Sequence, residues 1–373
     1  MNIGLIGVGL IGGSVGHAAH ERIDSVHVRG FDLSQAALET ALELGAVDEA
    51  CATAAEAAEG ADICFVCCPV RSLPGAVREA LAAGGDCVVT DVGSTKGALL
   101  AGLRSDDVSD ADVSRFVGGH PLAGAEAAGV ENARGDIFAG AIWYLTPIER
   151  TSGVLYERLY RTISSLGARP TAIDPDTHDR VMATVSHLPH AIANVLVGQA
   201  ASALLEERQR LPATGPSFRD ATRVAGTNPA VWRDIFLTNR EAIAAELETY
   251  VRGLEEMLGY LRSDDAGALE RWIEEARANR QRLLELELAG GPVSELRVSV
   301  PNKPGIVAQV ALALGEAGVN IVDMALYPAA DMQSGAIALW VSGERSAERA
   351  VELIGKLGYP TTVVADESVG ESV

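Results

Sequence analysis

Basic residues are scarce: 30 lysines and arginines stand against 51 aspartates and glutamates, a formal net charge of −21 at pH 7. Such a chain offers no basic stripe for phosphates, which argues against nucleic acid as a partner. It does not argue against a small anion, which needs only a locally positive pocket. A basic leader is missing too. The first Lys or Arg is Arg22, and glycines at 4, 7, 9, 12, 13 and 16 interrupt the apolar N-terminus, so a signal peptide is not expected. No run approaches the roughly 20 apolar residues of a membrane span. Cysteine is confined to five positions between Cys51 and Cys87. Cys64-Phe-Val-Cys67 has redox or zinc spacing, but its surroundings read as a buried strand. A redox dithiol sits at a helix start, and zinc would need a second ligand pair that is absent. Reduced core thiols, no metal and a cytoplasmic location are expected.

What is present suits a folded chain of two or three domains: 373 residues, 48% hydrophobic and 22% charged, with length for a buried core. Asn2 to Ile6 reads as a strand, followed at once by Gly7-Val-Gly9-Leu10-Ile11-Gly12 and a helix. A second strand, Val26 to Phe31, ends at Asp32. In that order these elements form a dinucleotide fingerprint. The first glycine makes the turn, the second admits the pyrophosphate, the third packs helix on strand, and the acid receives the ribose hydroxyls. Asp32 would repel a 2′-phosphate, so NAD is favoured over NADP. Asp62 to Val70 and Cys87 to Val92 read as buried parallel strands. They end in Cys68-Pro69-Val70 and Asp91-Val-Gly-Ser94-Thr-Lys96. The stretch Phe116 to Glu126, a strand Ala141–Thr146, a helix Gly153–Leu166 and a strand around Ala168–Ile173 complete a Rossmann-type α/β domain over residues 1–172.

Strand signals then stop, and residues 173–290 read as helical. Asp174-Pro175 opens a helix carrying Ser186-His187-Leu-Pro-His190, with His187 and His190 on one face. H-x-x-H without the H-E-x-x-H frame is a poor metal signature. From Ala230 to about Leu261 the apolar spacing predicts one helix of roughly 48 Å at 1.5 Å per residue. Ala268 to Leu288 predicts another. Long helices with apolar stripes predict a homodimer through this region, or else an intrachain bundle. After Gly290-Gly-Pro292 the order strand, helix, two strands, helix, strand over 293–366 is βαββαβ, a ferredoxin-like module suited to regulation. Residues 367–373 form an acidic tail.

Within this frame Gly118-Gly119-His120-Pro121 draws attention. Glycines and proline together set the direction of the histidine from both sides, although Gly-Gly-X-Pro is also ordinary turn chemistry. Ser94 and His120 both follow predicted strand ends and face one crevice; Ser94 also suits a helix N-cap.

Taken together, Gly7-x-Gly-x-x-Gly12 with Asp32, Gly93-Ser94-Thr-Lys96, Gly119-His120-Pro-Leu-Ala-Gly-Ala-Glu126, Ser186-His187-Leu-Pro-His190 and Thr222-Arg223 to Trp232-Arg-Asp-Ile-Phe236 resemble the prephenate dehydrogenase family over residues 1 to about 285. Pro301-Asn-Lys-Pro-Gly305 and Gly318-Val-Asn320 resemble an ACT domain. Ala125 departs from the hydroxyl residue many members carry. The resemblance implies NAD-dependent oxidative decarboxylation of prephenate to 4-hydroxyphenylpyruvate, in tyrosine biosynthesis. It implies His120 as the base, oriented by Ser94, and Arg223 on the ring carboxylate. Ser186 and His190 would contact the substrate side chain, and Arg219 and Glu126 would line the entrance, with His187 in support. Gly7, Gly9, Leu10, Ile11, Gly12, Asp32, Pro69 and Val70 would hold the cofactor. Asn302, Gly305 and Asn320 would bind an aromatic amino acid effector such as tyrosine. Arogenate is the rival substrate. A β-hydroxyacid dehydrogenase would need a lysine that Asp174 to Leu205 lacks, and a non-catalytic nucleotide sensor would leave His120, His190 and Arg223 without work.

Overall fold

The computed structural model describes residues 1–103, 108–124, 127–206, 215–287, 293–301, 306–319, 321–328, 334–342 and 344–364. Two compact units emerge, residues 1–210 with 221–251, and residues 211–220 with 252–373. The expected helical segment 173–290 is thus shared between them.

The first unit is built on eight strands: β1 (Asn2–Ile6), β2 (His27–Phe31), β3 (Glu49–Ala50), β4 (Ile63–Val66), β5 (Val88–Asp91), β6 (Phe116–Pro121), β7 (Ile142–Thr146) and β8 (Arg169–Ala172). Their spatial order is β3-β2-β1-β4-β5-β6-β7-β8. Pairing is parallel from β3 through β6, then reverses between β6 and β7. The sheet is apolar on both faces because helices cover both: β4 and β5 are buried at every residue. The chain changes direction between β1 and β4, and the crevice of such a sheet opens outside the carboxyl ends of its strands. Gly7, Asp32, Pro69 and Ser94 all follow strands at that edge, and His120 is the penultimate residue of β6.

His120 therefore lies within a strand, not in a turn. Neither glycine before it adopts positive φ. They are needed for close approach: a Cβ on Gly118 would stand 2.2 Å from the Thr146 hydroxyl, and one on Gly119 would stand 2.5 Å from the Asp91 carbonyl oxygen.

The helix expected at Asp174 begins there, with Pro175 in its first turn and the Asp174 side chain accepting from the Thr177 amide at 2.9 Å. It continues as a π turn, Ala183–His187, into the helix Leu188–Glu206. Pro189 has no N–H for the carbonyl four residues back, and a widened turn absorbs the mismatch. By length and composition Pro175–Ser202 is apolar enough to cross a membrane, against the expectation that no run comes near. In the fold His178, Asp179, His187 and His190 of this stretch are buried, whereas Asp176, Arg180 and Thr184 are exposed.

The single long helix expected from Ala230 is two, Pro229–Thr238 and Arg240–Arg262. Asn239 between them leaves helical geometry, with φ −119 and ψ 28. Its amide donates to the Asp179 carbonyl at 2.8 Å and meets His187 Nδ1 at 3.2 Å. Apolar periodicity continues across such a break.

In the second unit, the helix Ala266–Glu287 precedes β9 (Val293–Pro301), β10 (Ile321–Pro328), β11 (Ser334–Ser342) and β12 (Thr361–Val363). They form an antiparallel sheet in the order β10-β11-β9-β12, with helices Ile306–Glu316 and Glu344–Lys356 completing βαββαβ. The Arg280 guanidinium lies 4.5 Å from the Trp340 ring centre, tying that helix to β11. Asn302, Gly305, Asn320 and the tail 367–373 lie outside the described residues.

Candidate active site

The cofactor loop takes the shape the glycines predict. Gly7 has φ +93, and a Cβ there would lie 2.6 Å from the Cys67 carbonyl oxygen. A Cβ on Gly12 would lie 2.0 Å from the Gly7 carbonyl oxygen. Gly9, which caps the 13-residue helix Leu10–Arg22, would point a Cβ into open space. That gap, at the positive end of a helix, fits a pyrophosphate. Asp32 accepts the amides of Val8 at 2.9 Å and Ser34 at 2.8 Å, so its carboxylate is held beside the loop, where a ribose would lie. Pro69 and Val70 open a short turn, Val70–Ser72, after β4.

All five cysteines are free. Burial pushes the Cys64 and Cys67 thiols well above their ordinary range, which suits core residues and not a redox pair.

His120 is 9% exposed, and its Nδ1 lies 2.9 Å from His178 Nε2. His178, fully buried, places its own Nδ1 2.8 Å from Asp179 Oδ1. The Asp179 carboxylate also accepts the backbone N–H groups of Lys96 and Gly97, each at 2.8 Å. Lys96, 0% exposed, turns its ammonium onto Asp91 and onto the Gly119 carbonyl oxygen. Asp91 closes the circuit by accepting the Gly119 amide at 3.0 Å. Burial, with His178, Lys96 and His187 adding to it, holds the His120 pKa well below 6.5. The ring is neutral at physiological pH, the state a proton acceptor needs. Burial alone would raise the Asp179 carboxyl, but hydrogen bonds from His178, Gly97 and Lys96 outweigh it and its pKa falls.

His178, Asp179, Lys96 and Asp91 are not among the site residues expected from the sequence. The sequence signal was weak, since His178-Asp179 sits inside the polar run Asp176 to Arg180 at a helix start, where such residues are ordinary. The expected orienting residue, Ser94, lies half-buried in the loop after β5, and the described partner of His120 is His178 instead.

His187 and His190 share a face, as expected: their rings lie 6.1 and 3.5 Å from Trp232, and His190 stacks on it with an interplanar angle of 6°. His187 meets Asn239, while the buried His190 Nδ1 has no partner among the described residues. Burial pushes the His187 pKa down to about 4 and lowers that of His190. Ser186 is half-buried inside the π turn. Arg223 is exposed at the start of the short turn Arg223–Gly226, which packs on the helix carrying His190. Arg219 is exposed and belongs to the other compact unit. Glu126 lies outside the described residues.

A dinucleotide-binding loop after β1, with a neutral, buried imidazole on β6 two strands beyond β4 and a helical segment following the sheet in the chain, is the arrangement of a nicotinamide-dependent dehydrogenase. Comparison with known proteins narrows this. Residues 15–171 match the family model "Prephenate dehydrogenase, nucleotide-binding domain", 174–275 match "Prephenate dehydrogenase, dimerization domain", and 294–357 match "ACT domain". A prephenate dehydrogenase of Bacillus subtilis is 29% identical over 97% of this chain and 98% of its own. A cyclohexadienyl dehydrogenase of Zymomonas mobilis is 31% identical over 76% of this chain and 96% of its own. Among solved structures, the prephenate dehydrogenase of A. aeolicus in complex with hydroxyphenyl propionate and NAD+ superposes with TM-score 0.67. It is 29% identical and covers 76% of this chain and 98% of its own. Synechocystis arogenate dehydrogenase superposes with TM-score 0.65 at 28% identity, over 76% of this chain and all of its own. The chain belongs to the prephenate dehydrogenase family, with an ACT domain at its C-terminal end and NAD as its cofactor.

Proposed function

We propose that this enzyme oxidises and decarboxylates prephenate to 4-hydroxyphenylpyruvate for tyrosine biosynthesis. NAD supplies the hydride acceptor. The observation that carries the reading is the neutral, buried His120 at the carboxyl edge of the sheet, with Nδ1 engaged and Nε2 without a partner among the described residues. His120 receives the ring hydroxyl's proton as the carbonyl forms and hydride departs. Carbon dioxide then leaves, its bonding pair makes the ring aromatic, and the ring oxygen recovers the proton. Arg223 holds the ring carboxylate, for which a guanidinium offers two parallel hydrogen bonds. The unpartnered Nδ1 of His190 supports a contact with the substrate's side chain, together with Ser186. Arg219 and Glu126 guard the entrance, and Ser94 assists at the base. The Gly9 gap and Asp32 support NAD over NADP.

The chain works as a homodimer in this reading. Val195, Tyr250, Val251, Leu254, Leu258 and Leu261 are exposed apolar residues on the helices of the segment matching the dimerization model. Tyrosine, or another aromatic amino acid, inhibits through the ACT domain, at Asn302, Gly305 and Asn320. A cytoplasmic location accompanies these assignments.

The arogenate dehydrogenase and cyclohexadienyl dehydrogenase among the relatives give arogenate standing as second substrate. Purified enzyme with NAD and either compound, followed by absorbance of the reduced cofactor, tests both. Prephenate should give the larger kcat/KM, and turnover of arogenate alone would overturn the assignment. Added tyrosine should lower the rate, and indifference to every aromatic amino acid would remove the regulatory reading.

A further inference from the structure

We propose that His178 and Asp179 are positioning residues that fix His120 as its Nδ1–H tautomer, so that Nε2 alone is the proton-accepting atom. This rests on the reading of His120 as the base and adds the groups that polarise it.

The polarity of the chain follows from its far end. An ionised carboxylate accepts and cannot donate. Asp179 Oδ1 already receives the Lys96 amide at 2.8 Å, and Oδ2 receives that of Gly97 at the same distance. The 2.8 Å contact from Asp179 Oδ1 to His178 Nδ1 therefore needs its hydrogen on the imidazole. A neutral His178 then presents a bare Nε2. The 2.9 Å contact from that atom to His120 Nδ1 is filled only if His120 donates. His120, neutral and with one N–H to spend, is left with a lone pair at Nε2. The opposite polarity requires a doubly protonated His178. In that arrangement a neutral His120 accepts at Nδ1 and carries its own hydrogen on Nε2, which leaves no proton-accepting atom toward a substrate.

Geometry keeps the rings in place. His120 and His178 meet edge to face, with ring centres 5.1 Å apart and planes at 73°. Tyr144, opposite His120 on the neighbouring strand, meets His178 edge to face with ring centres 5.8 Å apart. When Nε2 takes a proton, the Nδ1–H already points at His178, whose second N–H points at Asp179. The new charge is stabilised without any proton passing along the chain, the arrangement that activates a base through a third, orienting group. Asp179 also caps the helix Gly97–Leu103 through the Gly97 amide, so its presence alone could be structural. His178 makes no such contact, and its variants separate the two roles.

The test uses full-length enzyme with NAD bound, labelled with ¹⁵N-histidine, near neutral pH. The chain has seven histidines, and the His120 signals are those lost in His120→Asn. A protonated Nδ1 and bare Nε2 are expected. In His178→Leu the two tautomers should average, with kcat falling by about 10–100-fold, as for other outer-shell partners, and KM nearly unchanged. His178→Gln can accept from His120 and donate to Asp179, so tautomer and most turnover should return. An Nε2–H tautomer in the unaltered enzyme overturns the proposal, as does equal turnover in the Leu and Gln variants. Should His178→Leu not fold, the unaltered and Gln spectra still decide. The tautomer is read without turnover, so failure to oxidise either substrate would remove the base role and leave this result standing.

Discussion

The ammonium of Lys96 donates to the carbonyl oxygen of Gly119, the residue before His120, at 2.6 Å. With Asp91 it forms a buried ion pair in which both side chains are 0% exposed. The pair fastens the loop after β5 to the strand that bears the base. Burial lowers the Lys96 pKa while Asp91 and Asp179 act against it.

Lys96→Met would leave the Asp91 carboxylate buried without its cation. Breaking such a pair from one side costs about 3–5 kcal/mol. Urea unfolding at neutral pH should show a loss of that order, together with loss of turnover. A variant as stable as the parent would mean that the pair contributes little and that His120 is held otherwise.

Gly118→Ala and Gly119→Ala should separate by what they strike. The first meets the Thr146 hydroxyl, a side-chain atom, and the second meets the Asp91 backbone. Overpacking costs about 1–3 kcal/mol. Thr146→Ala should recover most of the loss in Gly118→Ala and none of it in Gly119→Ala. Thermal unfolding of the single and double variants measures this, and equal recovery would remove the steric account.

The cofactor fingerprint was legible because backbone demands act locally: Gly7 must take positive φ, and Gly12 must meet the Gly7 carbonyl. The Rossmann-type domain was legible in short apolar runs alternating with helices, while the antiparallel step from β6 to β7 was not. The glycines before His120 were legible as important and misread in cause, since a clash with Thr146 and Asp91 depends on partners 28 residues away in either direction. The Lys96–Asp179 contact spans 83 residues, and no spacing rule foretells it. Asn239 broke an expected helix for a similar reason, its side chain being engaged by Asp179 and His187 on another element.

Stability should fall on acidification, and His187 should account for part of the slope. Its pKa is pushed down to about 4 in the folded protein, against roughly 6.5 when unfolded. Above pH 6.5 both states carry a neutral ring, and its full contribution is present. Between those values the unfolded chain binds a proton that the native state refuses, so stability is lost at up to about 1.4 kcal/mol per pH unit. His120, also depressed, adds in the same direction. The slope of unfolding free energy against pH, measured near pH 5 by urea titration, should be shallower in His187→Gln by nearly one proton. An unchanged slope would contradict the assignment.

His120→Asn should lower kcat by about 10²–10⁴-fold, the usual worth of a general base, while substrate affinity stays near normal. Asparagine can still hydrogen-bond the ring hydroxyl but cannot take its proton. Steady-state kinetics with NAD saturating make the comparison, and surviving turnover would place the base elsewhere.

Arg223 opens the short turn Arg223–Gly226. It is exposed on a turn that packs against the helix of His190, and its proposed work is ground-state as well as transition-state binding of a carboxylate. Removal of such a charge partner raises KM more than it lowers kcat. Arg223→Ala should therefore raise KM for substrate by about 10–100-fold, from the 1.5–3 kcal/mol of a charged hydrogen bond, with KM for NAD unmoved. Arg223→Lys should recover only part, because an ammonium restores the charge but not the two parallel donors. If alanine left KM unaltered, the ring carboxylate would have to be held by another cation. Arg219 would then be tested in the same way, with the opposite expectation for entry and for affinity: a slower approach of substrate, read as salt-sensitive kcat/KM, and little change at saturation.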